Sequence, residues 1–175
     1  MNLSYIKSIT LVLVFLLFAL SSISCSSSGG TKAEIMGSSS AAKEQYVTDA
    51  ASLLSKEQME EISALLEEHN QNGLGRIYLC IIEGLPEGKT IEEYSYEKIN
   101  EKPRRTDEKR DKILIAVAMQ NRTLRIETSQ DVWPVLTDEY CKKITSEVMI
   151  PKFKQGEYYQ GIKDGITNLL HKLET

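Results

Sequence analysis

Histidine, tryptophan and cysteine are scarce in this sequence, with two, one and three residues among 175. They show no zinc-site spacing, and no glycine-rich phosphate loop or nucleophile elbow appears, so the motifs with the strongest chemical mechanisms are excluded. His69 and His171 fall near predicted helix ends, where surface positions compatible with the helix dipole account for them better than catalysis does. An excess of basic residues is also missing. The formal charge of −4 becomes −5 once residues 1–24, with Lys7 and no acid, are removed, which argues against nucleic acid as a partner. What is present is an ordinary globular balance: 41% hydrophobic and 26% charged residues suffice for one continuous core.

The longest apolar stretch, residues 9–23 (ITLVLVFLLFALSSI), follows the single cation Lys7 and is at once succeeded by small polar residues. This is signal-peptide architecture, predicted over residues 1–24. A retained transmembrane anchor is the competing reading, although the stretch falls short of the roughly 20 residues a spanning helix needs. Ser22-Ile23-Ser24-Cys25 resembles a bacterial lipobox, with Ser22 where leucine is usual. The resemblance makes Cys25 the lipid attachment site, diacylated on its thiol and acylated at its amine, and several acyl chains attach stably where one binds marginally. Residues 25–44 then form the lipidated cysteine and a Ser-, Gly- and Ala-rich tether without apolar periodicity. The expected location is extracytoplasmic, anchored to the cell membrane or to the outer membrane facing the periplasm.

Residues 45–175 remain for the folded domain. Ser55 and Gln58 form a capping box ahead of Met59, Ile62, Leu65 and Leu66 at helical spacing, with Gly73 and Gly75 to end the helix. Residues 77–82 read as a buried strand, and Thr90 with Glu93 opens a second helix that Pro103 ends. The mixed charges of residues 102–112 read as a solvated loop. Residues 113–119 are apolar on both faces, which suits a central strand, and a tight turn at Gln120-Asn121 leads into an alternating strand over residues 123–128. Thr137 caps a helix that Pro151 stops or kinks. A last helix from about Tyr158 carries Ile162, Ile166, Leu169, Leu170 and Leu173 on one stripe, with Gly161 and Gly165 allowing close approach to a neighbour. The order αβαββαα predicts an α/β sandwich with a small mixed sheet. Trp133, between Val132 and Val135, reads as core filler, with an exposed recognition tip as the alternative. Cys80 and Cys141 read as buried free thiols, with a disulfide in an oxidising periplasm as the alternative.

Acidic residues collect near predicted element ends, where ligands of open α/β sheets gather. Asp49, Asp107, Glu108, Asp111, Asp131 and Asp138 are these acids, and carboxylates converging there would suit hard cations such as Ca²⁺ or Mg²⁺. Helix caps and solvated turns explain the same residues without a ligand.

Several stretches resemble the TPM-domain family over about residues 45–173: Tyr46-Val47-Thr48-Asp49, Leu54-Ser55 through Gln58, residues 113–118, residues 122–127 and Leu136-Thr137-Asp138. The most specific is Glu147-Val148-Met149-Ile150-Pro151-Lys152-Phe153 with Gly156 to Tyr159, Gly161 and Gly165. The resemblance implies a Rossmann-like α/β/α sandwich on the outer side of a membrane. It also implies divalent-cation binding and an association with acid phosphatase activity. Two stretches depart from the pattern: Arg110-Asp111-Lys112 stands where the family reads Asp-Asn-Gly, and Ser129-Gln130-Asp131-Val132-Trp133 where it reads Gly-Tyr-Gly-Leu-Glu. A backbone needing positive φ resists Gln130 or Asp131 in place of glycine. The expected function is therefore a non-catalytic binding or assembly module of the cell envelope, attached through Cys25 and contacting envelope proteins through the altered loop and Trp133. A divalent-cation-dependent phosphomonoester hydrolase is the alternative the resemblance implies, with Asp49, Asp111 and Asp138 as its Ca²⁺ or Mg²⁺ ligands.

Overall fold

The computed structural model describes residues 44–102 and 112–175. The expectations for the leader, for Cys25, for the tether to Lys43, and for Pro103 and Asp111 lie outside the described residues. Four strands form one sheet in the order β1-β2-β3-β4. β1 (Val47–Asp49), β2 (Arg76–Ile82) and β3 (Lys112–Ala118) run parallel, and β4 (Thr123–Thr128) returns antiparallel to β3. The mixed sheet is as expected, but the order of elements begins with a strand. β1 is only three residues long, and its pairing with Leu79, Cys80 and Ile81 leaves no alternation that a local reading could detect.

The two capping boxes form as their sequences dictate. In α1 (Lys56–Asn72) the Ser55 side chain accepts from the Gln58 amide while the Gln58 side chain accepts from the Ser55 amide. In α2 (Ile91–Glu101) Thr90 and Glu93 repeat the exchange. β3 is buried along its whole length and divides its side chains between two cores by the period-2 rule. Ile113, Ile115 and Val117 face α1 and the C-terminal helices, whereas Leu114, Ala116 and Ala118 face Ile91, Tyr94 and Ile99 of α2. The result is the α/β/α sandwich read from the sequence.

The charged run before β3 ends differently from a solvated loop. Lys112 opens the strand and is buried, its Nζ donating to the carbonyls of Ile99 and Lys102 at 2.9 and 2.8 Å. Helix carbonyls at a C-terminus lack intrahelical donors and favour a cation, so Lys112 caps α2. The hairpin turn also differs. Ala118 pairs with Thr123, so four residues span the turn rather than two, and Arg122 takes φ 52° to close it.

The C-terminal region is a helix that changes winding. α3 (Asp138–Lys143) is capped by Thr137, a π segment follows over Ile144–Met149, and α4 (Ile150–Lys154) continues beyond it. Pro151 neither stops nor ends this run. It sits where π winding gives way to α4, just after the Ile150 amide, which donates to the Thr145 carbonyl five residues back. α5 (Tyr158–Leu173) buries Ile162, Ile166, Leu169 and Leu173, and its two glycines accommodate the preceding segment. A Cβ on Gly161 would lie 2.8 Å from the Phe153 ring, and one on Gly165 would lie 2.8 Å from Met149 Sδ.

Cys80 and Cys141 are both free and buried. They belong to the cores on opposite faces of the sheet, which rules out a bridge between them. Burial, reinforced by the Asp138 carboxylate, pushes the Cys141 thiol up to about 11. The expected outcome is that reductant leaves the melting temperature unchanged. Both thiols should resist alkylation at about pH 8 in the folded chain and react in urea, since only the thiolate is nucleophilic. A reductant-sensitive melting temperature would contradict the placement of the two cysteines.

Candidate functional site

Asp49 ends β1 at the carboxyl edge of the sheet. Its Oδ2 accepts from the Leu54 amide at 2.9 Å, closing the loop that leads into α1. Its Oδ1 is buried with no hydrogen-bond partner among the described residues. Buried polar atoms of native proteins are ordinarily paired, so this oxygen is an acceptor in reserve.

Asp138 opens α3 and is exposed. It borders a small cavity of about 180 Å³ with Glu92, Arg125 and Lys142, against the outer edge of β4. Arg125 is already engaged by Glu127 at 2.6 Å, with Glu92 at 4.0 Å. The strand register shows how far apart the two aspartates lie. The row Asp49, Ile81, Val117, Leu124 crosses the whole sheet, and three strand spacings amount to about 14 Å. Asp49 stands at one edge and Asp138 beside the other, so the structure does not bring them to one cation. Asp111 lies outside the described residues. Among the described residues, no three His, Cys, Asp or Glu side chains form a group that could hold a metal ion.

The altered stretch after β4 adopts a 3-10 turn over Gln130–Val132. No residue between Ser129 and Trp133 has a positive φ. The turn is locked at both ends. Ser129 donates its amide to the Lys112 carbonyl at 2.9 Å and accepts from the Lys112 amide through Oγ at 2.9 Å. Val132 and Leu136 plug it into the core, 1% and 0% exposed, while Trp133 is 51% exposed. The expectation that Trp133 fills the core is therefore corrected. In a 3-10 turn residues three apart share a side, so the anchoring of Val132 turns its neighbour outward.

Glu44, Arg76, Tyr46 and Tyr78 form a second polar group that sequence reasoning missed. Glu44 accepts from Arg76 Nη1 at 2.6 Å and also from the Tyr78 hydroxyl. Burial and the adjacent Glu44 carboxylate hold the Tyr78 hydroxyl well above the usual tyrosine range. These contacts fasten the start of the domain to β2, and a local reading cannot find partners 32 and 34 residues apart. His69 has a comparable role, its Nε2 lying 3.2 and 3.0 Å from the Leu74 and Gly75 carbonyls after α1.

A family model described as the TPM domain matches residues 47–172. The chain belongs to the TPM-domain family. Solved structures similar to this TPM domain include the N-terminal domain of a protein from P. gingivalis, 22% identical with a TM-score of 0.62, where 74% of this chain covers 82% of that one. The BA42 protein from Bizionia argentinensis is 19% identical with a TM-score of 0.54, over 69% of this chain and 81% of that one. An N-terminal domain from Corynebacterium glutamicum is 12% identical with a TM-score of 0.57, over 87% and 88%. At these identities the likeness is one of fold. No curated protein matches the chain. Among the described residues, no helix is long and apolar enough to cross a membrane.

Proposed function

We propose that this TPM domain is a lipid-anchored, extracytoplasmic binding module, attached to a membrane through acylated Cys25 and contacting an envelope protein through the Trp133 turn. The observation that carries the reading is the half-exposed indole of Trp133 on a turn pinned from beneath by Val132 and Leu136. A large aromatic presented by rigid backbone loses little entropy on burial, and such residues dominate the energetics of protein interfaces. The test uses membranes carrying the full chain. A photo-crosslinking residue at position 133 should give one discrete protein adduct, and the same residue at exposed Glu87 should give none. Adducts at both positions, or at neither, would remove the reading. Cys25→Ala should abolish labelling by a fatty-acid analogue and leave the precursor uncleaved, whereas normal processing of the variant would indicate ordinary secretion.

A second reading, cation-dependent phosphomonoester hydrolysis, has one observation behind it: the buried, unpartnered Oδ1 of Asp49 at the carboxyl end of β1. Under that reading millimolar Ca²⁺ or Mg²⁺ raises the melting temperature, because a ligand that binds only the folded state stabilises it. Asp49→Asn should remove the shift. Asp138→Asn, at the opposite edge of the sheet, should keep it. No shift in the wild type, together with no hydrolysis of a generic phosphomonoester, would end this reading.

A further inference from the structure

Where β3 runs out, the β3–β4 turn and the corner between α4 and α5 border a half-open cavity of about 540 Å³, within the range that holds small organic ligands. Its walls are apolar and basic at once. Leu124, Ile150 and Phe153 supply apolar surface, and Arg122 and Lys154 supply charge. No acid among the described residues lines it, and neither cation is in an ion pair among them. Thr123, also in the wall, has a buried Oγ1 with no hydrogen-bond partner, a deficit that native proteins seldom leave unexplained.

Two features of the backbone build this place. Arg122 holds φ 52°, a left-handed conformation that glycine adopts without strain and arginine does not. Backbone strain of this kind concentrates at ligand clamps and similar sites. On the other wall, the π segment Ile144–Met149 leads directly into Ile150, and π segments inside helices recur at functional positions. Phe153 reaches its position because Gly161 has no Cβ to displace it.

We propose that this cavity binds a small organic anion: one carboxylate or phosphoryl headgroup on a single aromatic or short aliphatic body. Arg122 and Lys154 take the charge, and Leu124, Ile150 and Phe153 take the body. A half-open space of this volume suits one ring or one short chain and is too small for both chains of a diacyl lipid. The site is separate from the two already described, since Trp133 lies beyond the amino end of β3 and Asp49 lies two strands away on β1.

The test is calorimetric titration of the full acylated chain in nanodiscs of neutral phosphatidylcholine with EDTA present. The probes are phenylphosphonate, phenylacetate, benzyl alcohol and inorganic phosphate. At least one of the two phenyl anions should bind with Kd below about 1 mM, with benzyl alcohol and inorganic phosphate weaker by about tenfold or more. Arg122→Gly relieves the left-handed strain, so the melting temperature should hold or rise while anion affinity falls about tenfold; Lys154→Gln should weaken binding as well. No heat from either phenyl anion up to about 10 mM would overturn the proposal. Equal binding of benzyl alcohol or of inorganic phosphate would also overturn it, as would unchanged affinity in both variants. EDTA withholds cations and a phosphonate cannot be hydrolysed as an ester, so failure here is distinguishable from failure at Asp49 or at Trp133.

Discussion

Truncating Ile115 to alanine is expected to lower the stability of the domain by about 2–5 kcal/mol, the cost of removing buried methylenes plus the cavity left behind. Ile115 is fully buried at the midpoint of β3. It pairs with Leu79 on one side and Ile126 on the other, and it belongs to the larger core with Ile162 and Ile166 of α5. Strands flank it in register, and the helix above is seated by close glycine contacts, so the surroundings have little freedom to collapse into the gap. That places the loss towards the upper part of the range. Urea unfolding of the full chain reads it as a lowered midpoint at unchanged slope. A loss below about 1 kcal/mol would mean that the site relaxes far more than a central strand allows.

Lys112→Ala is expected to cost about 2–3 kcal/mol, since hydrogen bonds to a charged group contribute more than neutral ones and their loss strands buried acceptors. Both acceptors, the carbonyls of Ile99 and Lys102, lie at the C-terminal end of α2. The effect should therefore be local as well as global: amide exchange in the last turn of α2 should accelerate more than exchange in α1. Lys112→Gly installs the residue of the family pattern and should be worse than alanine by about 0.5–1 kcal/mol, because glycine surrenders more backbone entropy in a strand. Unchanged exchange at the end of α2 would show that the ammonium is not its cap.

What could be read from the sequence was whatever depends on near neighbours. The exchanges of Ser55 with Gln58 and of Thr90 with Glu93 span three residues, and the unbroken apolar run of residues 113–119 is seven long, so α1, α2 and the central strand were legible. The stripe of α5 and the purpose of Gly161 and Gly165 followed from helical periodicity. The misreadings share a cause: each needed a partner distant in sequence. β1 exists through its pairing with Leu79 to Ile81. Lys112 is buried because α2 ends beside it, although the surrounding charges suggested solvent. Trp133 had apolar neighbours on both sides, yet the 3-10 turn spends Val132 and Leu136 on the core and leaves the indole outside. Asp49 and Asp138 sit near element ends as expected, but strand order assigns them to opposite edges, and order is not encoded in local spacing. The turn after β3 spans four residues where Gln120-Asn121 reads as two, so neither the left-handed backbone of Arg122 nor the cavity beside it was foreseeable.

The winding of the long C-terminal helix has a consequence for how this region tolerates change. A π segment takes more residues per turn than α-winding, so Ile144–Met149 sets the rotational phase of everything that follows it. Deleting one residue there would let the segment relax to regular α-helix, whose tighter winding restores nearly the same rotation, whereas adding one residue with the winding unchanged would turn α4 by about 100° about its axis. With a residue added, Met149 would swing off Gly165 and Phe153 off Gly161, undoing two contacts at which a Cβ would stand 2.8 Å from its neighbour. Substitutions of the exposed Ser146 or Glu147 leave that phase untouched. Lengthening, more than the identity of surface residues, is thus what this segment cannot absorb, and a single insertion should do what several exchanges of exposed side chains cannot.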